Sequence, residues 1–391
     1  MTTFAVTGAT GQLGRLVVRD LLERGVAPAD LVAVVRDEAK AQPLADAGVQ
    51  VRVASYEDVA ALQAALAGVD RLLLISGSEV GKRVAQHGNV VDAARAAGVL
   101  RVVYTSLLRA DSNTMPLAAE HQATERLLAD SGLPTVVLRN GWYVENYTTQ
   151  LPTYLQVGAI IGAAPDARVA AAPRTDYAAA AAAALLDDGT DTAVYELAGP
   201  AASFPELAAA LSEAAGQELP YRAVSLEDYR AGLLAAGLDE GTAGFVTALE
   251  AGTANGELDG PSTDLERLLG RPATDLRTAV TRLLTPLASR ADVVTDAPDR
   301  YAKQLVSHLG RRAEFTTEGP ESSAQIGSGT ARVVVGDGVL TLLAAGPDEE
   351  SLARVEHVLG SHLERFGARN ELVVQWTRST DTPAAVTPTG A

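Results

Sequence analysis

The stretch Thr7 to Gly14, TGATGQLG, constrains the fold more than any other part of the chain. It lies between a short apolar run and an amphipathic one, and its glycines have the spacing G-x-x-G-x-x-G. In a strand-to-helix turn, Gly8 makes the tight turn, Gly11 lets the backbone approach a pyrophosphate, and Gly14 lets the helix pack against the strand. The helix N-terminus then directs free N–H groups toward the phosphates. The stretch predicts a dinucleotide-binding turn; the alternative is a tight strand-to-helix connection that binds nothing.

Strand and helix patterns alternate over the first 140 residues. Apolar runs predict strands at Thr3–Thr7, Leu31–Arg36, Val49–Val53, Arg71–Ile75, Arg101–Thr105 and Thr135–Arg139, with helices near 12–24, 57–66, 82–97 and 117–131. Strands separated by helices of this length imply right-handed crossovers. The sequence therefore predicts an α/β fold built on a Rossmann-type, doubly wound parallel sheet.

The pattern is less regular from residue 140 to about 288. An alanine-rich helix follows Arg174, and we expect Asp176 to cap it. A strand at Val194–Leu197 and helices through 204–215, 226–237 and 262–270 complete this part. We predict a smaller, irregular substrate lobe that packs on the nucleotide-binding part, so that residues 1–288 form one domain.

A different pattern begins after residue 288. Residues 289–298, SRADVVTDAP, predict a linker, and 299–378 predict a separate small α/β domain. Its elements are a helix at 299–310, strands at Ala331–Val335 and Val339–Ala344 around a Gly-Asp-Gly turn, a helix at 348–366 and a strand at 371–376. The tail, residues 379–391, is rich in Thr, Pro and Ala, and we expect it to be disordered.

Composition excludes several classes of function. The net charge is −17, and so acidic a surface repels nucleic acid and anionic membranes. The chain contains no cysteine, which excludes disulfides and thiolate chemistry. The longest apolar run, Tyr177 to Leu186, is too short for a membrane-spanning helix, and the first residues lack a signal-peptide pattern. We expect a soluble, cytoplasmic protein.

The end of the second predicted strand indicates which dinucleotide is bound. NAD-binding folds usually place an acid there, which binds the ribose 2′-hydroxyl. Here the strand ends at Arg36, and Lys40 follows one turn later. A guanidinium matches the geometry of a 2′-phosphate, so the cofactor predicted is NADP(H), with NAD(H) as the other possibility. The alternative is a solvated strand end, where Asp37 partly offsets the charge.

Several motifs in order carry a family resemblance. TGATGQLG, the Arg36 strand end and SGLPTVVLRNGW resemble the atypical short-chain dehydrogenases/reductases of the NmrA-like branch. With VAVVRDEAKAQPLA, LLLISGSEVGKR, YTSLLRAD, RNGWYVENY and VYELAG, residues 3 to 285 are similar to bacterial NAD(P)H:quinone oxidoreductases of type 2. RYAKQLVSHLGRR and SLARVEHVLGSHLERF, in 299–378, resemble a small bacterial domain of unknown function (DUF2218-like).

The resemblance implies an enzyme that transfers hydride from NADPH to a small-molecule quinone, without flavin or metal. Short-chain dehydrogenases use a Tyr-x-x-x-Lys pair as proton relay, and here the two positions fall on Leu117 and His121. Alcohol–ketone interconversion is therefore disfavoured. Quinone reduction needs little help with protons, because a hydroquinone monoanion can take its proton from water or a nearby histidine. The missing pair also motivates the alternative, a dinucleotide-sensing regulator that acts through a protein partner without turnover.

The resemblance also implies which residues touch the cofactor. They are Gly8, Ala9, Thr10, Gly11, Gln12, Leu13, Gly14, Arg36, Ser76, Gly77, Ser78, Asn140, Gly141, Trp142, Tyr143 and Arg174.

The candidate catalytic residues are His121, Asn140 and Tyr143. His121 is a candidate proton donor or else a solvated helix histidine. Asn140, together with Asn146, is a candidate hydrogen-bond partner for the carboxamide or a quinone oxygen. Tyr143, with Trp142, walls a flat aromatic site or else packs in the core.

The C-terminal histidines raise the question of a metal site. His308, His357 and His362 lie in the small domain, but His357 and His362 are five residues apart on a predicted helix and point away from each other. We therefore predict no metal. The apolar stripe of the same helix covers the hairpin or mediates self-association into a homo-oligomer.

Overall fold

The computed structural model describes residues 2–260 and 262–378, which divide into two compact units between Thr281 and Arg282. The strands of the first unit are β1 (Phe4–Thr7), β2 (Leu31–Val35), β3 (Gln50–Val53), β4 (Arg71–Leu74), β5 (Arg101–Leu107), β6 (Thr135–Asn140), β7 (Trp142–Tyr143), β8 (Ile160–Gly162), β9 (Arg168–Val169), β10 (Ala171–Ala172), β11 (Ala193–Leu197), β12 (Ala202–Ser203) and β13 (Tyr221–Ala223).

The helices of this unit are α1 (Gln12–Glu23), α2 (Gln42–Asp46), α3 (Val59–Leu66), α4 (Arg83–Ala97), α5 (Ala118–Ser131), α6 (Glu145–Thr148), α7 (Leu151–Val157), α8 (Arg174–Leu186), α9 (Phe204–Ala215), α10 (Leu226–Ala235), α11 (Glu240–Ala254) and α12 (Asp264–Leu269). A further helix, α13 (Leu276–Leu284), begins in the first unit and ends in the second.

Seven parallel strands form the central sheet of the first unit, in the order β11-β6-β5-β4-β1-β2-β3. The chain moves outward from β1 to β3, then returns to β4 beside β1 and continues to the other edge. This confirms the predicted doubly wound sheet. The reversal between β1 and β4 opens a crevice at the carboxyl ends of these strands, where such sheets bind ligands.

Helices cover both faces of this sheet, so β1 and β2 are buried along their whole length. On one face α8 packs against α1, and the alanines of α8 allow the two helices to approach closely. On the other face the core contains side chains of α3, α4 and α5. The alanine run therefore has a packing role, as the sequence indicated.

The start of α8 corrects one prediction. Its N-cap is Pro173, and Asp176 lies inside the first turn, almost fully buried. The Asp176 carboxylate accepts hydrogen bonds from the Thr274 backbone N–H at 2.7 Å and from Arg271 Nη2 at 2.7 Å. Asp176 is thus not a helix cap, because a distant segment supplies its partners.

The part predicted as a substrate lobe contains three two-stranded pairings, β7 with β10, β8 with β13, and β9 with β12, surrounded by α6, α7 and α9–α11. Helix α11 was not predicted. Its sequence, EGTAGFVTALEAGTA, contains three glycines and three threonines, which have low helix propensity. The Asp239 side chain caps this helix by accepting from the N–H groups of Gly241 and Thr242.

The second unit contains an antiparallel sheet and the helices that pack on it. Its strands are β14 (Leu287–Val294), β15 (Thr316–Glu318), β16 (Glu321–Ile326), β17 (Gly329–Val335), β18 (Val339–Gly346) and β19 (Thr377–Arg378), in the order β15-β16-β17-β18-β14-β19. Helices α14 (Pro298–Leu309) and α15 (Glu349–Phe366) pack on it. This confirms a separate C-terminal α/β domain.

The structure corrects two boundaries of this unit. Strand β14 occupies most of the predicted linker 289–298 and pairs along its length with β18, burying Ala291 and Val293. Residues 372–376, within the predicted strand 371–376, have no regular structure, and the last strand is Thr377–Arg378. The tail 379–391 lies outside the described residues.

Candidate functional site

A cleft of about 630 Å³ opens at the carboxyl ends of β1, β2, β4 and β5. Twelve of the predicted cofactor residues line it: Gly8, Thr10, Gly11, Gln12, Leu13, Gly14, Arg36, Ser76, Gly77, Ser78, Tyr143 and Arg174. Ala9, Asn140, Gly141 and Trp142 are not among its lining residues, and neither is His121. Residues that were not predicted, including Tyr56, Glu79 and Thr105, also line the cleft.

The glycine turn has the geometry that its spacing predicts. Gly8 has φ +59°, and its carbonyl accepts the Gly11 N–H at 2.8 Å. A Cβ on Gly14 would lie 2.2 Å from the Gly8 carbonyl oxygen, so only glycine fits there. Gly11 is the N-cap of α1 and provides no side-chain cap. The first N–H groups of α1 are therefore left for an anion in the cleft.

The Arg36 side chain lies at the cleft edge and is 69% exposed. Its Nη1 donates to Glu79 Oε1 at 3.1 Å, and Lys82 Nζ lies 3.1 Å from the other oxygen of Glu79. The Lys82 side chain lowers the pKa of Glu79 by hydrogen bonding, so this carboxyl stays charged at neutral pH. Lys40 also lines the cleft and lies 4.0 Å from Asp37. Two cations thus stand where β2 ends, each beside an acid.

At the other end of the cleft, Arg174 is held by three neighbours. Its guanidinium carbon lies 4.5 Å from the centre of the Tyr143 ring, and Nη2 donates to Asn146 Oδ1 at 3.2 Å. Its Nη1 lies 3.7 Å from Glu145 Oε2. The Tyr143 ring also packs edge-on against Tyr177 at 5.2 Å. Tyr143 and Arg174 therefore form a rigid wall of the cleft.

Asn140 is buried behind this wall. Its Nδ2 donates to the Tyr143 hydroxyl at 3.4 Å, while its Oδ1 has no hydrogen-bond partner in the described chain. A buried carbonyl oxygen without a donor costs about 1–3 kcal/mol. Burial raises the pKa of Tyr143 above its usual value, which keeps its hydroxyl protonated at neutral pH.

His121 is not the solvated histidine that was one alternative. It is buried, and its Nδ1 lies 2.8 Å from the Tyr104 hydroxyl. Burial, with the charge of Arg83, lowers the pKa of His121 to about 3, so the ring is neutral. A neutral ring buried outside the cleft lining is poorly suited to donate a proton to a ligand.

Thr105 and Ser106, near the end of β5, have different surroundings. Thr105 lines the cleft, and its Oγ1 accepts the Ser76 N–H at 2.9 Å. Ser106 donates to Glu125 Oε1 at 2.5 Å, and Arg139 Nη2 donates to Glu125 Oε2 at 2.7 Å. Ser106 thus serves a buried polar network and not the cleft.

Tyr56 is a cleft residue that sequence reasoning missed. Its hydroxyl donates to the Ile75 carbonyl at 2.9 Å and lies 2.5 Å from Thr7 Oγ1. Burial raises the pKa of Tyr56 to about 12. The available signal was its position three residues after β3, at the same sheet edge as the other site residues.

No group of three or more metal-binding side chains occurs within residues 2–260 and 262–378. His308 and His362 are ring neighbours with centroids 5.0 Å apart. No helix of the described residues has the length and apolarity needed to cross a membrane.

Comparison with known proteins gives the family. Quinone oxidoreductase 2 of Escherichia coli strain K12 is 48% identical over 280 residues, which are 71% of this chain and 98% of that protein. The crystal structure of NADPH-dependent quinone oxidoreductase 2 from Escherichia coli complexed with NADPH matches with TM-score 0.69 and 48% identity, covering 72% of this chain and 99% of that one. Triphenylmethane reductase of Citrobacter sp., complexed with NADP(H), is 37% identical with TM-score 0.68, over 72% of this chain and 99% of that one.

Two families match the two parts of the chain. Residues 290–377 match an uncharacterized family conserved in bacteria (DUF2218). Residues 1–277 match the NmrA-like family, and with the nearly full coverage of its relatives this shows that the chain belongs to the NmrA-like family.

Proposed function

We propose that this chain is an NADPH-dependent quinone reductase that transfers hydride without a flavin. It is an oxidoreductase of the NmrA-like family, and its relatives include NADPH-dependent quinone oxidoreductases. The observation that carries the proposal is the cleft itself. It joins a glycine turn and two cations at the end of β2 to a tyrosine–arginine wall beyond β6.

The residues present fit NADPH. The pyrophosphate would bind at the N-terminus of α1, and the 2′-phosphate between Arg36 and Lys40. Asn140 lies outside the cleft lining, so we assign it the role of positioning the Tyr143 hydroxyl, to which its Nδ2 donates at 3.4 Å. When bound, the cofactor supplies the hydride.

Tyr143 and Arg174, which form the wall of the cleft, provide a surface for the quinone that accepts the hydride. Arg174 fixes the Tyr143 ring, which gives a flat acceptor an aromatic surface. The protonated Tyr143 hydroxyl can donate a hydrogen bond to an acceptor oxygen, as the direction of its pKa shift indicates. Since His121 lies away from the cleft lining, we assign the proton that completes the hydroquinone to solvent.

The test is NADPH oxidation by the full chain, followed at 340 nm with benzoquinone and naphthoquinone. We expect turnover that requires the quinone and persists in protein whose absorption spectrum contains no flavin band. Tight NADPH binding without any consumption would overturn the proposal and favour the dinucleotide-sensing regulator.

A further inference from the structure

Outside the cleft, the substrate lobe contains four tyrosines around one acid. We call Tyr147, Tyr154, Tyr221, Tyr229 and Glu250 the tyrosine–glutamate cluster. They come from α6, α7, β13, α10 and α11, so only the tertiary fold brings them together. We propose that this cluster binds an organic cation with a flat apolar body, an aromatic ammonium compound. This site goes beyond the proposed quinone reduction, because a quinone carries no positive charge.

The backbone loop after β8 fixes the position of Glu250. Its Oε1 accepts the Ala163 N–H at 2.6 Å, and the Tyr221 hydroxyl accepts the Ala164 N–H at 3.1 Å. A Cβ on Gly162 would lie 2.7 Å from the Tyr221 hydroxyl and 2.9 Å from Glu250 Oε1. The Glu250 carboxyl and the Tyr221 hydroxyl therefore lie side by side next to Gly162.

Aromatic rings extend from this point. Phe204 stacks on Tyr221 with centroids 5.1 Å apart and meets Tyr147 edge-on at 6.0 Å. Tyr147 and Phe204 also line a small apolar crevice with Leu207. Burial, and then the nearby Glu250 carboxyl, raise the pKa of Tyr229 to about 12. Glu250 acts on Tyr154 in the same direction.

Glu250 lacks a compensating charge. Burial raises its pKa, and within residues 2–260 and 262–378 no basic side chain acts to lower it; only the Ala163 hydrogen bond does. A half-buried carboxylate without a partner is unfavourable, since buried charges are normally paired. A ligand cation would supply the missing charge.

The surroundings leave the cluster accessible. Helices α7 and α10 contain no buried residue, and all five cluster residues are only partly buried. Ring faces with negative potential beside a carboxylate are the arrangement that proteins use for quaternary ammonium groups. The cluster favours an organic cation over a neutral or anionic ligand, because it combines electron-rich rings, the unpaired Glu250 carboxylate and partial exposure to solvent.

The experiment is calorimetric titration of the full chain with two isosteres, 4-(trimethylammonio)benzyl alcohol and 4-tert-butylbenzyl alcohol. They differ only in the charge. We expect the ammonium compound to bind at least about tenfold more tightly. Glu250→Gln should abolish this preference and leave weak binding of both compounds. Equal affinities in the unmodified chain, or a preference that survives Glu250→Gln, would overturn the proposal.

Two controls separate binding from structure. Glu227→Gln removes one exposed acid from α10 and should leave the tenfold preference intact. Tyr229→Phe keeps the ring and should preserve the preference, whereas Tyr229→Leu should reduce it several-fold. If Glu250→Gln does not fold, the comparison of Tyr229→Phe with Tyr229→Leu tests the proposal. The same preference for the ammonium compound in both variants would refute it. NADPH binding, measured alongside, should not change, which keeps this test independent of the reductase proposal.

Discussion

Replacing Arg36 by alanine should weaken the binding of NADPH far more than that of NADH. The Arg36 guanidinium is 69% exposed and bonded at 3.1 Å to Glu79, an exposed pair whose loss changes stability by at most about 1 kcal/mol. A charge-assisted contact with a 2′-phosphate is worth roughly 1–3 kcal/mol. The expected loss in NADPH affinity is therefore about five- to 150-fold.

Fluorescence titration of the reduced nicotinamide measures both dissociation constants on the same protein. NADH has no 2′-phosphate, so its affinity should change by no more than about twofold. Arg277→Ala is a matched control, because Arg277 is also 69% exposed and pairs with Glu213 at 2.8 Å, outside the residues that line the cleft. Equal weakening of NADPH and NADH by Arg36→Ala would refute the assignment of the 2′-phosphate to this residue.

Three further changes test the rest of the site. Gly14→Ala places a Cβ 2.2 Å from a backbone carbonyl and should lower the thermal unfolding temperature by several degrees, whereas Gly88→Ala, 3.8 Å from its nearest neighbour, should not. Burial lowers the pKa of both His87 and His121 to about 3, so their contribution to stability should be lost as pH falls from about 6.5 toward 3, because the unfolded chain takes up these protons first. NMR titration should find both rings neutral at pH 5, and protonated rings there would contradict the burial. Tyr143→Ala should raise the KM for quinones about tenfold by removing the aromatic wall, and Tyr143→Phe, which keeps the ring under Arg174, should change it little; an equal effect of both variants would contradict this role.

Predictions that rest on neighbours in the sequence agree with the structure. The six strands of the first 140 residues were predicted within two residues of their observed ends, and the seventh, β11, also matches. The inner strands β1, β2, β5 and β6 are buried on both faces and therefore appear as continuous apolar runs. The glycine turn is equally local, since its spacing fixes both the turn and the close approach to the helix.

Errors occur where the partner of a residue is distant in the sequence. Asp176 is of a residue type that often caps helices, but its side chain accepts hydrogen bonds from residues 271 and 274. Strand β14 has the sequence pattern of a polar linker because every second residue points outward, and its pairing with the distant strands β18 and β19 stabilises it. Helix α11 contains poor helix formers, so its stability depends on tertiary contacts and its Asp239 cap.

In the candidate site, too, features encoded by neighbouring residues were predicted and features that depend on distant residues were not. The turn and Arg36 were predicted because they follow strand ends, and the family resemblance implied the serine–glycine stretch after β4. The burial of His121 could not be predicted, since whether a helix face is solvated depends on what packs against it. The same holds for the ion pair of Arg36 with Glu79, which joins residues 43 apart.

The sequence by itself determined the doubly wound sheet, the phosphate-binding turn and the cation that follows the second strand. Each of these is encoded within a few consecutive residues, by apolar runs, glycine positions and strand ends. Only the tertiary structure decided that His121 is neutral and buried, that Asn140 keeps a free acceptor, and that four tyrosines lie near Glu250. Those properties depend on burial and on the distance between side chains from separate elements, and no local pattern specifies either.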